Sequence, residues 1–145
     1  MPKHISSTDL ENYRENGYLY PIQIMSKSQA LDIRNHIESI DKPMLDKIGG
    51  ELGHKAHLLM PILNDLVKNP VLLDTVEDIL GPNILCWGGS FFTKKPGDNA
   101  FVSWHQDSNY WGLSGGDVLT AWVALSPATR LSGAMKALSG SHRGP

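Results

Sequence analysis

Cysteine is nearly absent: Cys86 is the one thiol in 145 residues. An internal disulfide is therefore excluded, which favours a reducing compartment. Long apolar runs are missing too. No stretch approaches the roughly 20 apolar residues that span a bilayer. The opening MPKHISSTDLENYRENG lacks the apolar segment of a secretory signal. The expected location is the cytoplasm, with no membrane partner. Nor is there an excess of one charge. Lys and Arg number 13 against 15 Asp and Glu, for a net charge of -2. That leaves no basic footprint for nucleic acid. A small anionic substrate is still acceptable, because a few local cations suffice.

What is present fits one soluble domain, 41% hydrophobic and 19% charged. Thr8-x-x-Glu11 and Ser26-x-x-Gln29 have the capping-box pattern that opens helices. The first helix is expected to end near Gly17. Tyr18 to Ile24, aromatic and β-branched, reads as a strand. Ala30, Ile33, Ile37 and Ile40 recur at helical spacing. Residues 42–57, with Gly49, Gly50 and Gly53, read as a flexible loop. Helical pieces follow around 58–67 and 70–80, the second stopped by Gly81-Pro82. From residue 83 onward the pattern changes to strand-like runs broken by Gly, Pro, Asn and Asp. Helices thus fill most of 1–82 and strands 83–145, within a single domain. Four or five strands are few for a sandwich or barrel that must cover its edges. The expectation is that the chain is incomplete.

One stretch concentrates chemistry: FVSWHQDSNYWGL, Phe101 to Leu113. In a strand, side chains at i and i+2 share a face. His105 and Asp107 would then project together, offering one imidazole nitrogen and one carboxylate oxygen. With a distant second His they would complete the two-His-one-carboxylate triad of non-haem Fe(II) sites. Spacing alone does not decide this. With six His in the chain, one His-x-Asp pair is within what chance supplies.

The surroundings add more. SWHQDSNYWGL, preceded by FFTKKPGD and followed by TAWVALSPAT and SGSHRG, resembles the phytanoyl-CoA dioxygenase family from about Gly17 onward. The ordered set His105-Gln106-Asp107, Trp122 and Gly140-Ser141-His142 carries the resemblance most specifically. It implies an Fe(II)- and 2-oxoglutarate-dependent oxygenase that uses O2. The implied fold is α+β: N-terminal helices packed on a double-stranded β-helix, a cupin-like jelly roll, only part of which is present. His105 and Asp107 correspond to the proximal iron ligands and catalytic pair. An intact carboxylate at Asp107 implies hydroxylation rather than halogenation. Lys55 in GHKAHLL, Phe91 and Trp122 match family contacts to 2-oxoglutarate. For Phe91 and Trp122 plain core packing stands as an equal alternative, and for Lys55 a solvated charge. The family's second iron His and its 2-oxoglutarate-clamping Arg lie beyond the GSHRG turn, so His142 is not that ligand. These residues alone are expected to have little activity.

Asn109 and Tyr110 follow the motif and would border a pocket for a small polar substrate. The resemblance extends to bacterial hydroxylases of small molecules, one branch of which acts on 2-aminoethylphosphonate. A turn Asn and a packing Tyr are the plainer alternative. A different class of function also stays open: a non-catalytic β-sandwich fragment that binds a partner or small ligand.

Other constellations are weaker. His54-x-x-His57 would place two imidazoles on one helix face, without a Glu-containing zinc motif. Ser103, His105 and Asp107 lack relay geometry and a G-x-S-x-G elbow. The glycine pairs at 49–50, 88–89 and 115–116 match no phosphate loop. Cys86 reads as a small buried hydrophobe.

Overall fold

The structure is a computed structural model that describes residues 2–49, 54–114 and 117–144. Local capping chemistry sets the helices of the N-terminal half. Helix α1, Ser7–Asn16, opens on Ser6. Ser6 accepts the Asp9 amide at 3.0 Å, and the Asp9 carboxylate accepts the Ser6 amide at 3.1 Å. The capping box therefore lies two residues earlier than Thr8-x-x-Glu11. Asp, with its shorter side chain, takes the reciprocal role usually filled by Glu or Gln. Helix α1 ends at Gly17, whose φ of 82° lies in the left-handed region.

Helix α2, Lys27–Glu38, starts at the expected box, Ser26 with Gln29. Residues expected as loop instead begin with a helix, α3, Lys42–Gly49. Asp41 explains it: its carboxylate accepts the Met44 amide at 2.9 Å, as a helix N-cap does. Gly50 and Gly53, read as part of that loop, and the 115–116 glycine pair lie outside the described residues. Helices α4, Ala56–Leu59, and α5, Pro61–Val67, are joined at Met60. Helix α6, Pro70–Leu80, begins with Pro at its first position, caps on Asn69 and stops at Gly81.

The core forms where α2, α4 and α5 meet. Ala56, Met60 and Leu63 are buried, with Ile33, Ile37, Ile40, Ile62 and Leu66 packed around them. Three of the four residues expected on one helix face, Ile33 and Ile37 on α2 and Ile40 just beyond its end, thus pack on this core. The N-terminal segment is fastened to α6 by one carboxylate. Asp78 accepts the amides of Lys3, His4 and Ile5 at 2.6, 2.8 and 3.0 Å. Ile5 beside it is buried.

Tyr18–Ile24, expected as a strand, is chain without a ladder partner among the described residues. Its last carbonyl, Ile24, is tied by the Asn69 side chain at 3.1 Å. Among the described residues of 83–144 no ladder forms either; the one bridge pairs Lys55 with Gly89. These segments leave Leu85, Phe92, Phe101 and Trp104 exposed. Cys86, expected to be buried, is exposed for the same reason: among the described residues no second layer covers its run. Two short elements interrupt the extended chain, α7, Ser108–Trp111, and a 3-10 turn, Ser141–Arg143. No helix among the described residues is long and apolar enough to cross a membrane.

Candidate metal centre

His105 and Asp107 do converge, but not as strand neighbours. Asp107 has helical backbone angles, φ -55° and ψ -42°, and leads directly into α7. The Tyr110 amide bonds the Asp107 carbonyl at 3.0 Å, and the Asn109 amide bonds the Gln106 carbonyl at 3.2 Å. This tight turn carries the carboxylate back onto the imidazole. His105 Nε2 lies 3.0 Å from Asp107 Oδ1.

The far side of each group is committed elsewhere. His105 Nδ1–H donates to the Ser103 carbonyl at 2.8 Å. That bond fixes the tautomer, leaving the Nε2 lone pair aimed at the carboxylate. Asp107 Oδ2 accepts the Thr120 hydroxyl at 2.6 Å. Two acceptors facing each other are favourable only with a proton or a cation shared between them. The His105 imidazolium is accordingly favoured. Its pKa is raised above the ordinary 6.5 by the Ser103 carbonyl, opposed by burial and raised further by Asp107.

The donor set also fits a metal. Two ligands at a right angle, each about 2.1 Å from a first-row divalent ion, sit about 3.0 Å apart. Both side chains remain partly open, 30% and 40% exposed. Among the described residues no third His, Cys, Asp or Glu joins them.

Gln106 is engaged away from the pair. Its amide donates to the carbonyls of Ser141 and Gly144, both at 2.7 Å. The SGSHRG turn in turn caps the end of α1. His142 Nε2 and Arg143 bond the Arg14 carbonyl at 3.1 and 3.2 Å, and the Gly140 amide bonds the Asn16 carbonyl at 2.9 Å. These are the carbonyls a helix leaves unpaired, and the two basic side chains sit at its negative end. Gly17 makes room: a Cβ there would lie 2.3 Å from the His142 ring. His142 is thus a helix-capping residue. The role of Gln106 was missed in the sequence, because its carbonyl partners lie 35 and 38 positions away.

The remaining site residues fall into two groups. Tyr110, on α7, packs edge-on against His105 with ring centroids 5.8 Å apart. Asn109 precedes it on the same helix. Lys55 belongs to a separate cluster. Its ammonium bonds the Trp87 carbonyl and lies 4.6 Å from the centroid of that ring. The Gly89 amide bonds the His54 carbonyl at 2.9 Å. Gly88 permits this approach, since a Cβ there would meet the His54 oxygen at 2.7 Å. The strand run holding Phe91 is thereby pinned to α4. Phe91 and Trp122 are 38% and 40% exposed, short of plain core packing. Among the described residues, no hydrogen bond, ion pair or ring contact joins Lys55, Phe91 or Trp122 to the His105–Asp107 pair.

His54 and His57 do not act as a pair on one helix face. His54 precedes α4, while His57 is buried within it, with Nε2 3.9 Å from Cys86 Sγ. Ser103 meets His105 through its carbonyl, so no serine relay is assembled.

Residues 13–145 match the family model described as Phytanoyl-CoA dioxygenase (PhyH). The chain is similar to a probable alpha-ketoglutarate-dependent hypophosphite dioxygenase of Stutzerimonas stutzeri, 34% identical over 88 residues, covering 61% of this chain and 30% of that one. It is 24% identical to the L-proline trans-4-hydroxylase of Streptomyces griseoviridis, covering 90% of this chain and 53% of that one. It is 25% identical to the ectoine dioxygenase of Bordetella parapertussis, covering 96% and 50% respectively. The chain spans about half the length, or less, of these curated relatives. No solved structure matches.

Proposed function

The chain belongs to the phytanoyl-CoA dioxygenase family, and from that premise we propose that it contributes the proximal half of the active site of an Fe(II)- and 2-oxoglutarate-dependent hydroxylase. The observation that carries the proposal is the 3.0 Å approach of His105 Nε2 to Asp107 Oδ1, with the opposite atom of each group engaged by Ser103 and Thr120. Held by these two ligands and a further His outside the sequence, Fe(II) would supply the chemistry that couples conversion of 2-oxoglutarate and O2 to succinate and CO2 with hydroxylation of an unactivated C–H. The chain's own residues position and shield. Ser103 fixes the imidazole tautomer. Tyr110 covers one edge of the ring. Its hydroxyl and the Asn109 amide are assigned to the substrate, and Lys55, Phe91 and Trp122 to 2-oxoglutarate. The extended segments of 83–145 are assigned to a double-stranded β-helix.

The substrate proposed is a small polar metabolite, with 2-aminoethylphosphonate foremost. Relatives named for hypophosphite, proline and ectoine support a compact, charged molecule of this kind. A phenol and an amide beside the metal pair offer it hydrogen bonds.

The test is anaerobic addition of Fe(II) and 2-oxoglutarate, followed as a visible charge-transfer band, and succinate release across aminophosphonates, acyl-CoAs and amino acids. The band is expected only where a third ligand is supplied, and His105→Ala or Asp107→Ala abolishes it. Tight stoichiometric Fe(II) binding by the 145 residues alone would refute the assignment of a ligand outside them. A protein with all three ligands that shows neither band nor succinate would instead support the non-catalytic binding reading.

A further inference from the structure

We infer that Thr120 is a positioning residue that keeps the Asp107 carboxylate single-toothed toward a metal shared with His105. The inference rests on the ligand assignment above and deepens it.

The two oxygens of Asp107 face different partners. Oδ1 approaches His105 Nε2 at 3.0 Å, while Oδ2 accepts the Thr120 hydroxyl at 2.6 Å. A hydroxyl-to-carboxylate bond of that length is charge-assisted and among the stronger hydrogen bonds. A carboxylate that chelates through both oxygens must turn both toward the metal. Turning Oδ2 inward draws it away from the Thr120 hydroxyl. The hydroxyl therefore favours binding through Oδ1 alone, which leaves one more coordination position for other ligands. Nothing else among the described residues hydrogen-bonds Oδ2. Among the described residues the other partner of the carboxylate is His105, at Oδ1. Thr120 comes from the segment after α7, 13 positions beyond Asp107, so the contact is not a by-product of the turn itself.

The test uses protein in which the third ligand is supplied and compares wild type with Thr120→Val, which keeps the shape and removes the hydroxyl, and Thr120→Ser, which keeps the hydroxyl. Co(II) alone is the probe. Affinity is read from its visible absorption and from selective broadening of the His105 ring signals in NMR. Coordination mode is read from the splitting of the carboxylate stretches of isotope-labelled Asp in infrared spectra. Wild type and Thr120→Ser are expected to bind at His105 with the wide splitting of a single-oxygen ligand. Thr120→Val is expected to bind roughly 10–100-fold more weakly, the usual effect of losing a group that orients a ligand, and to show the narrow splitting of a chelate. Wild-type affinity and wide splitting in Thr120→Val would overturn the inference and leave the ligand assignment standing. Weak binding by both Thr120 variants would equally overturn it, since a hydroxyl alone would then not restore the site. Absence of His105 broadening in that wild-type protein, with all three ligands present, would overturn the ligand assignment, and with it this inference.

Discussion

His105 is held by two acceptors. The Ser103 carbonyl is the largest single cause of its raised pKa; burial opposes it, and Asp107 adds to it through a hydrogen bond and its charge. Asp107→Asn in the metal-free chain should therefore lower the His105 pKa only part of the way to its ordinary value, as read by NMR titration of the ring. A full return would mean that the backbone bond does not hold in solution. The sign for stability follows from the raised pKa. The stabilisation is fully present below the unfolded value of 6.5. It is lost as pH rises through the higher folded value. Both side chains are about a third exposed, so the contribution to folding is small. At this scale the sequence was informative about which residues meet and misleading about how. His105 and Asp107 were paired by strand alternation, whereas a helical turn at Asp107 brings them together. Spacing of two is compatible with both, because either geometry can return the second side chain to the first. The partners Ser103 and Thr120 were not legible: one acts through its backbone, the other from a segment whose placement depends on tertiary structure.

Among the elements, those set by neighbouring residues were legible and those set by distant ones were not. Ser26 with Gln29, Gly17, and Gly81-Pro82 all mark helix ends through contacts within four residues. Helix α3 had such a signal in Asp41 that the glycines nearby obscured. The strand runs differ in kind. A strand is defined by its ladder partner, and no local pattern supplies one. The fastening of residues 3–5 to α6 shows how one distant side chain organises a segment. Asp78 loses solvent there, which alone would raise its pKa; the amides of His4, Lys3 and Ile5 outweigh that and hold it below the ordinary 3.8. A depressed carboxylate stabilises above its unfolded pKa, and the effect is lost as pH falls through the folded value. Hydrogen exchange at the Lys3, His4 and Ile5 amides should therefore stay slow at neutral pH and accelerate relative to α6 amides below about pH 4. Asp78→Asn should show fast exchange at every pH.

As a whole the molecule is unevenly packed. The buried cluster of Ala56, Met60 and Leu63 lies in the helical half, while Phe101 and Trp104, 80% and 70% exposed, stand out from the other. Leu63→Ala should cost about 2–5 kcal/mol, measured by denaturant unfolding followed through helical circular dichroism. A loss below about 0.5 kcal/mol would place Leu63 outside the core. One bridge between the halves is the SGSHRG turn, whose His142 reaches the Arg14 carbonyl across 128 positions. That span has a consequence in time. Contacts so far apart close late, because the intervening chain must first give up its freedom. On a ribosome, chain leaves from the N-terminus, and the clamp on Gln106 needs the carbonyls of Ser141 and Gly144. The helices can fold while synthesis continues, but the loop bearing the ligand pair stays unclamped until Gly144 has emerged. A nascent chain would therefore meet the cell's metal ions with its helices formed and this loop still unfastened.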